Sequence, residues 1–187
     1  MRRTVILSIV SGAAALALLN IPQTRAVAQE RDSAAIMEQF RLAEDFAQAA
    51  EKDADTLESY TRTRASWAAH GQQVNLIREH VNRLLATHSQ LSDLRSEGSP
   101  WQQAAIDRVE PIVKDVADRL TATIQTLNEN RNNYRLTDYH EYVRGNYQAI
   151  ATASRLISDI LDYGEAKAKA ESLERDLGIA PSANLKE

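Results

Sequence analysis

From Arg31 onward, apolar side chains recur at alternating intervals of three and four residues and almost never at intervals of two. That spacing places them on one face of an α-helix and argues against strands, which bury every second residue. Four such stripes follow one another. The first is Ile36, Phe40, Ala43, Ala47, Ala50, Ala54 and Leu57, a heptad thin enough to let a neighbouring backbone come close. The second is Trp67, His70, Val74, Ile77, Val81, Leu84, His88 and Leu91. The third runs Ile106, Val109, Val113, Val116, Leu120, Ile124 and Leu127, and the fourth Tyr139, Val143, Tyr147, Ile150, Ser154, Ile157 and Leu161. Each calls for about 30 residues, or about 45 Å of helix.

Capping residues divide the stripes. Ser66 suits the N-cap of a second helix, after a first connection at about residues 62–65 that has neither Gly nor Pro. Gly98-Ser99-Pro100 reads as a helix stop, an N-cap and a first-turn proline. The stretch from Asn128 to Thr137 holds four asparagines and ends in Thr137 as a cap. Pro111 falls inside the third stripe, where it should kink the helix. Short connections force antiparallel neighbours, so the expected fold is all-α, an up-down-up-down four-helix bundle with long antiparallel helices over residues 29–178. The one competing layout is a single helix from about residue 31 to 95 in a three-helix rod, because Trp67 keeps the register of Tyr60 and Thr63. The second and third stripes carry the large aliphatics, so their hairpin should be the most stable part. Gly178 and Pro181 end the last helix and leave 179–187 as a polar tail.

The residues before the first stripe read as an address. Arg2 and Arg3 precede an apolar run from Val5 to Ile21, Pro22 follows it, and Ala26-Val27-Ala28 supplies a small-x-small cleavage pattern. Residues 1–28 are therefore expected to be a secretory signal peptide, and the rest periplasmic or extracellular; membrane contact follows only if the segment is retained. Losing Arg2, Arg3 and Arg25 takes the formal charge of −4, from 22 basic and 26 acidic residues, down by a further three. An exported acidic domain has neither the compartment nor the charge for nucleic-acid binding. Zero cysteine removes disulfides, thiolate metal sites and a cysteine nucleophile.

Three segments, Ser66-Trp67-Ala68-Ala69-His70, Ser99-Pro100-Trp101-Gln102-Gln103 and Leu127-Asn128-Glu129-Asn130-Arg131, carry a resemblance over about residues 60–175. In them the chain resembles uncharacterised secreted helical-bundle proteins of environmental bacteria, of acidobacterial type. That resemblance implies a helical fold and export, and no activity. Periplasmic chaperones with a Leu-Thr-x-x-Gln signature match Leu136-Thr137 but meet His140 where Gln is required.

Chemistry is sparse. No Gly-x-Ser-x-Gly, Gly-rich phosphate loop or Glu-x-x-His occurs, so catalysis is not expected. His70 and His88 stand in a core stripe 18 residues apart, about 27 Å along the axis, too far to share a metal. Their expected role is that of partly buried imidazoles bonded to a neighbouring helix. A haem held by Met on the first helix and His on the last fails because Met37 and His140 belong to opposite ends. Antiparallel packing puts Met37 level with His88, and His70 level with Leu127 and Val143; His70 and His140 are the histidines that can approach each other, with Glu129 or Asn128 nearby. No cofactor or metal site is assigned.

One end is chemically distinct. Tyr60, Trp67, Tyr134, Tyr139, Tyr142 and Tyr147, with Arg62, Arg64, Arg131, Arg135 and Arg144, collect where the first and third connections lie, and Gly71 and Gly145 fall at nearly one depth there. Rings and guanidinium groups together favour recognition. The expected binding set is Tyr60, Trp67, His70, Arg131, Tyr139, His140 and Arg144, taking another protein or a small anionic ligand, with the two glycines marking a close approach or small cleft. A non-catalytic binding or accessory protein is the leading expectation. A self-associating structural coiled coil, forming homo-oligomers through its helix faces, and a metal or haem carrier are the alternatives.

Overall fold

The computed structural model describes residues 31–132, 134–136 and 138–179. The expected signal segment, Asn133, Thr137 and the tail from residue 180, Pro181 included, lie outside the described residues. Four helices follow one another: α1 Ala34–Thr61, α2 Trp67–Leu94, α3 Pro100–Glu129 and α4 Tyr139–Leu177, with short 3-10 turns at Arg95–Glu97 and Tyr134–Leu136. The four-helix bundle is as expected. The single-helix layout fails because the chain leaves the helix at Arg62 and restarts on Ser66, whose hydroxyl accepts from the Ala69 N–H at 3.2 Å.

Ser33 caps α1 in the same way, by accepting from the Ile36 N–H. Asp138 precedes α4, one residue after the cap expected at Thr137. The α3 helix runs on through Pro111, whose ring lies exposed on the outer face. At the far end of α4, Gly178 adopts φ 66°, and the Ile179 N–H reaches back to the Glu174 carbonyl at 2.9 Å. This left-handed stop needs glycine because a Cβ would crowd the backbone.

The helices form a ring in which α1 and α3 each contact α2 and α4. Inward positions of α1 are mostly alanine, and α1 lies closest to both its neighbours, whereas α2 and α3 stand farther apart. Large aliphatics thus fill the α2–α3 space, and small ones draw α1 inward. The core divides into two halves. One gathers Leu57, Ile77, Leu120, Ile150 and Tyr139, the other Ile36, Phe40, Leu84, Ile106 and Ile157, and Leu85 touches both.

Polar bonds close the end where α1 begins. The Asp32 carboxylate accepts from the Trp101 indole N–H at 2.6 Å, the Ser99 hydroxyl at 2.7 Å and the Lys167 ammonium at 3.1 Å. Gln102 is fully buried, its carbonyl oxygen accepting from the backbone N–H groups of Ser33 (2.8 Å) and Ser99 (3.1 Å), its amide donating to the Ser33 carbonyl (3.0 Å). Three elements are tied at one point: the start of α1, the start of α3 and α4.

The glycines of the close approaches are here, and not where they were expected. A Cβ on Gly98 would stand 2.7 Å from the buried Ile36 Cδ1, and one on Gly164 2.5 Å from Met37 and 3.1 Å from Trp101. At Gly71 it would meet nothing within 4 Å, and at Gly145 only the Arg119 guanidinium at 3.4 Å. The close backbone approach expected at Gly71 and Gly145 is therefore corrected, since each has room for a methyl group; Gly145 does line a cleft between α3 and α4, with Asp115 and Arg119. Gly71→Ala is expected to raise the unfolding free energy by about 1 kcal/mol through helix propensity. Gly98→Ala should lower it by about 1 to 3 kcal/mol by overpacking Ile36. Urea titrations showing both changes with one sign would contradict this placement.

Candidate site at the tyrosine end

The first connection and the turn before α4 are joined through one carbonyl. Ala65 accepts from the Tyr134 hydroxyl and from the Arg135 guanidinium, each at 2.6 Å, and Arg135 Nε donates to the Tyr134 oxygen at 3.1 Å. Tyr134 is drawn over the end of the core, where it meets His70 edge-on at 5.1 Å between ring centres. Tyr60 stands edge-on to His70 at 5.7 Å; Tyr139 does the same at 5.5 Å, and its hydroxyl is hydrogen-bonded to His70 Nδ1 at 3.2 Å. Three tyrosines from three elements therefore box one histidine, which is 1% exposed.

Such burial fixes the protonation of both groups. Burial, and next the Arg135 charge, hold the His70 imidazole below its ordinary value of 6.5, with the Tyr60 backbone pulling the other way. Burial likewise pushes the Tyr139 phenol up, with Tyr134 adding to it. In the unfolded chain His70 takes up its proton near pH 6.5, and in the folded chain only at lower pH. The unfolded state binds more protons between these two values, so the stability from a neutral His70 is complete above about pH 6.5 and is lost as pH falls through that window. A urea midpoint that stays level from about pH 8 to 7 and then declines is expected, and His70→Gln should flatten the decline. An unchanged slope in that variant would show that His70 is not the titrating group.

The box leaves a small pocket of about 80 Å³, lined by Tyr60, Thr61, His70, Tyr134, Arg135, Tyr139 and His140. Its size matches two or three water molecules or one carboxylate-sized group, since a water occupies about 30 Å³ of liquid. Of the residues expected to bind, Tyr60, His70, Tyr139 and His140 are brought together here. Trp67 and Arg131 are elsewhere: the indole N–H donates to the Leu127 carbonyl at 3.1 Å and the Arg131 guanidinium lies 4.5 Å over the ring. They clasp the first turn of α2 to the last of α3. Arg144 is ion-paired with Glu141, which also takes His140 Nε2 at 3.1 Å, on the outer face of α4. The cation at the pocket is Arg135, held there by its bonds to Ala65 and Tyr134. Its signal in the sequence was adjacency to Tyr134 inside an asparagine-rich connection. Thr61 had none, because a threonine ending an alanine-rich helix looks like any other.

The remaining histidines are dispersed. His80 Nε2 lies 3.3 Å from Asp53, whose carboxylate and carbonyl also accept from the Gln73 amide at 3.0 Å each. His88 is half-buried and its Nε2 meets no hydrogen-bond partner among the described residues, so the bond expected to a neighbouring helix forms at His70 and not at His88. Met37 packs toward Gly164. Among the described residues no group of three or more His, Asp or Glu side chains is placed to hold a metal ion. Among them, too, no helix is long and apolar enough to cross a membrane. Comparison with protein-family models, curated proteins and solved structures gave no match for this chain.

Proposed function

We propose that the protein is an exported binding or accessory protein, without catalysis, that takes one anionic group of a partner into the tyrosine pocket. The observation carrying this reading is the anchoring of Arg135. With Nε and one Nη committed to Tyr134 and Ala65, its guanidinium stays at the pocket while still half in solvent. A cation fixed before binding loses little side-chain freedom when an anion arrives. His140 and Tyr60 line the pocket beside it, while the hydroxyls of Thr61 and Tyr134 already donate to the Glu58 and Ala65 carbonyls. A pocket this small fits a carboxylate end and excludes a nucleotide or sugar.

Export is the second half of the proposal and rests on Arg2, Arg3, the apolar run and Ala26-Val27-Ala28. Intact-mass measurement on the exported protein should find Gln29 at its start. Capture is tested by exposing the protein to soluble extract of the exporting cell and comparing the original chain with Arg135→Lys and His140→Gln. Loss of a captured partner in both variants, with thermal midpoints held, supports the pocket; undiminished capture in both overturns it.

A further inference from the structure

The tyrosine pocket has an ionisable inner wall. His70, buried in the bundle end, lines it together with Tyr60, Tyr134, Arg135 and Tyr139. Two partners meet the ring: the Tyr139 hydroxyl at Nδ1, 3.2 Å away, and the Tyr60 backbone. A neutral imidazole has one N–H for these two, so the Tyr139 phenol supplies the other hydrogen. A protonated imidazole has an N–H for each. Taking up a proton therefore breaks neither bond. It reverses the one to Tyr139 and turns the phenol's own hydrogen toward another acceptor, and Tyr139 lines the pocket.

What the ring lacks is an opposite charge. Helix α1 brings Tyr60 against it, the Tyr134–Leu136 turn brings Tyr134 and Arg135, and α4 brings Tyr139. Among the described residues the charge acting on the ring is that of Arg135, which joins burial in disfavouring the imidazolium. His140 lines the same pocket from α4, but its neighbour Glu141 is committed to His140 and Arg144, and Glu58 of α1 is taken by Arg62. A space of about 80 Å³ is shared by Arg135 and His70, so an anion filling it stands against both. That anion offsets the repulsion between the two cations and gives the imidazolium its counter-charge. An opposite charge in contact moves a pKa by about 1 to 3.

We propose that the pocket takes its carboxylate together with one proton, which settles on His70, so that the ligand is loaded as pH falls and released as pH rises. The inference rests on the reading of this pocket as an anion site and adds the condition under which the site fills. The proton comes from solvent and returns to it on release. With the anion in place the imidazole holds its proton up to a higher pH than without it. Between those two values binding draws in a proton, so affinity climbs as pH falls through the window and levels off on either side.

Formate is the probe, because it is small enough for the pocket and stays ionised across the window. Its affinity for the unaltered chain should rise by about tenfold or more from about pH 7.5 to about pH 5. Calorimetry in buffers of unlike ionisation enthalpy should show proton uptake on binding at the lower pH and almost none at the higher. NMR names the residue: the His70 ring resonance should titrate at higher pH with formate than without it. Both measurements use the unaltered chain and so do not depend on a variant that folds; His70→Gln should bind formate without proton uptake. Short peptides ending in a free carboxylate, set beside their amidated forms, separate a partner's chain end from a free acid, and either source supports the inference if its binding carries the proton. Formate bound with an unmoved His70 titration overturns the inference and leaves the pocket an anion site. Uptake that NMR traces to His140 overturns it too. No formate bound at any of these pH values overturns both the inference and the pocket reading.

Discussion

Phe40→Ala is expected to lower the unfolding free energy by about 3 to 5 kcal/mol, the range for emptying a buried aromatic site. The ring is fully buried in the half of the core around Ile36, Leu84, Ile106 and Ile157. Helix α1 otherwise offers the interior of that half Ile36, Ala43 and Ala47, with Met37 and Phe46 packed at its edge, so the space Phe40 leaves is bordered on α1 mainly by alanine. Rigid surroundings make the cavity term large, because the loss grows with the volume left unfilled. By contrast Ala47→Gly, also at a fully buried position, removes one methyl group and should cost about 1 kcal/mol, chiefly in helix propensity. Chemical denaturation giving a smaller loss for Phe40→Ala than for Ala47→Gly would mean that α1 is not held through its ring.

Asp32→Ala is expected to cost about 2 to 4 kcal/mol. Three donors lose this acceptor at once, the Trp101 indole N–H, the Ser99 hydroxyl and the Lys167 ammonium, of which Ser99 keeps Gln102 and Lys167 keeps Glu171. An exposed ion pair alone contributes about 0 to 1 kcal/mol. The indole N–H is different, since a donor left unsatisfied in a mostly buried place costs about 1 to 3 kcal/mol. Asp32→Asn, which keeps one acceptor oxygen and loses the charge, should recover roughly half of the loss. Hydrogen exchange gives a local readout: amides in the first two turns of α1 and α3 should lose protection while those around Tyr139 keep theirs. Uniform loss across the bundle would show that the clasp is no separate unit.

Most of the fold was legible because apolar periodicity is set by backbone geometry alone. All seven residues of the first stripe are buried. In the fourth stripe the inward residue is Asn146 and not Tyr147, which is only half-buried. Apolar counting also passes over Gln73, Gln102 and Thr123, buried polar residues whose partners include Asp53 of α1, the backbone at Ser33 and Ser99, and the Tyr142 carbonyl. Asp53, Ser33 and Tyr142 are distant in sequence and nothing local announces them, whereas Ser99 and Gln102 form a capping box that is a local pattern.

The candidate site was half legible for a similar reason. Gathering aromatic and basic residues at one end needed only alternating helix directions. Choosing among the arginines needed the course of a connection, and there the Tyr134–Leu136 turn brings Arg135 to Ala65 while Arg131 goes to Trp67 and Arg144 to Glu141. The Asp32 clasp had no signal at all, because an acid before a helix is ordinary and its partners lie as far off as Lys167.

The alanine face of α1 has a consequence for alignment. Ala43, Ala47, Ala50 and Ala54 form a smooth rail, and a slide of one heptad, about 10 Å, would lay Ala50 and Ala54 where Ala43 and Ala47 had been. Nothing along the rail resists that slip, since one methyl group replaces another. What forbids it are a few keys of unlike shape: Ile36 and Phe40 at one end, Leu57 at the other, the Asp53 to Gln73 bond between them and the Asp32 clasp as end stop. Uniqueness of position in this helix thus resides in about six side chains, while the alanines set only how near it lies.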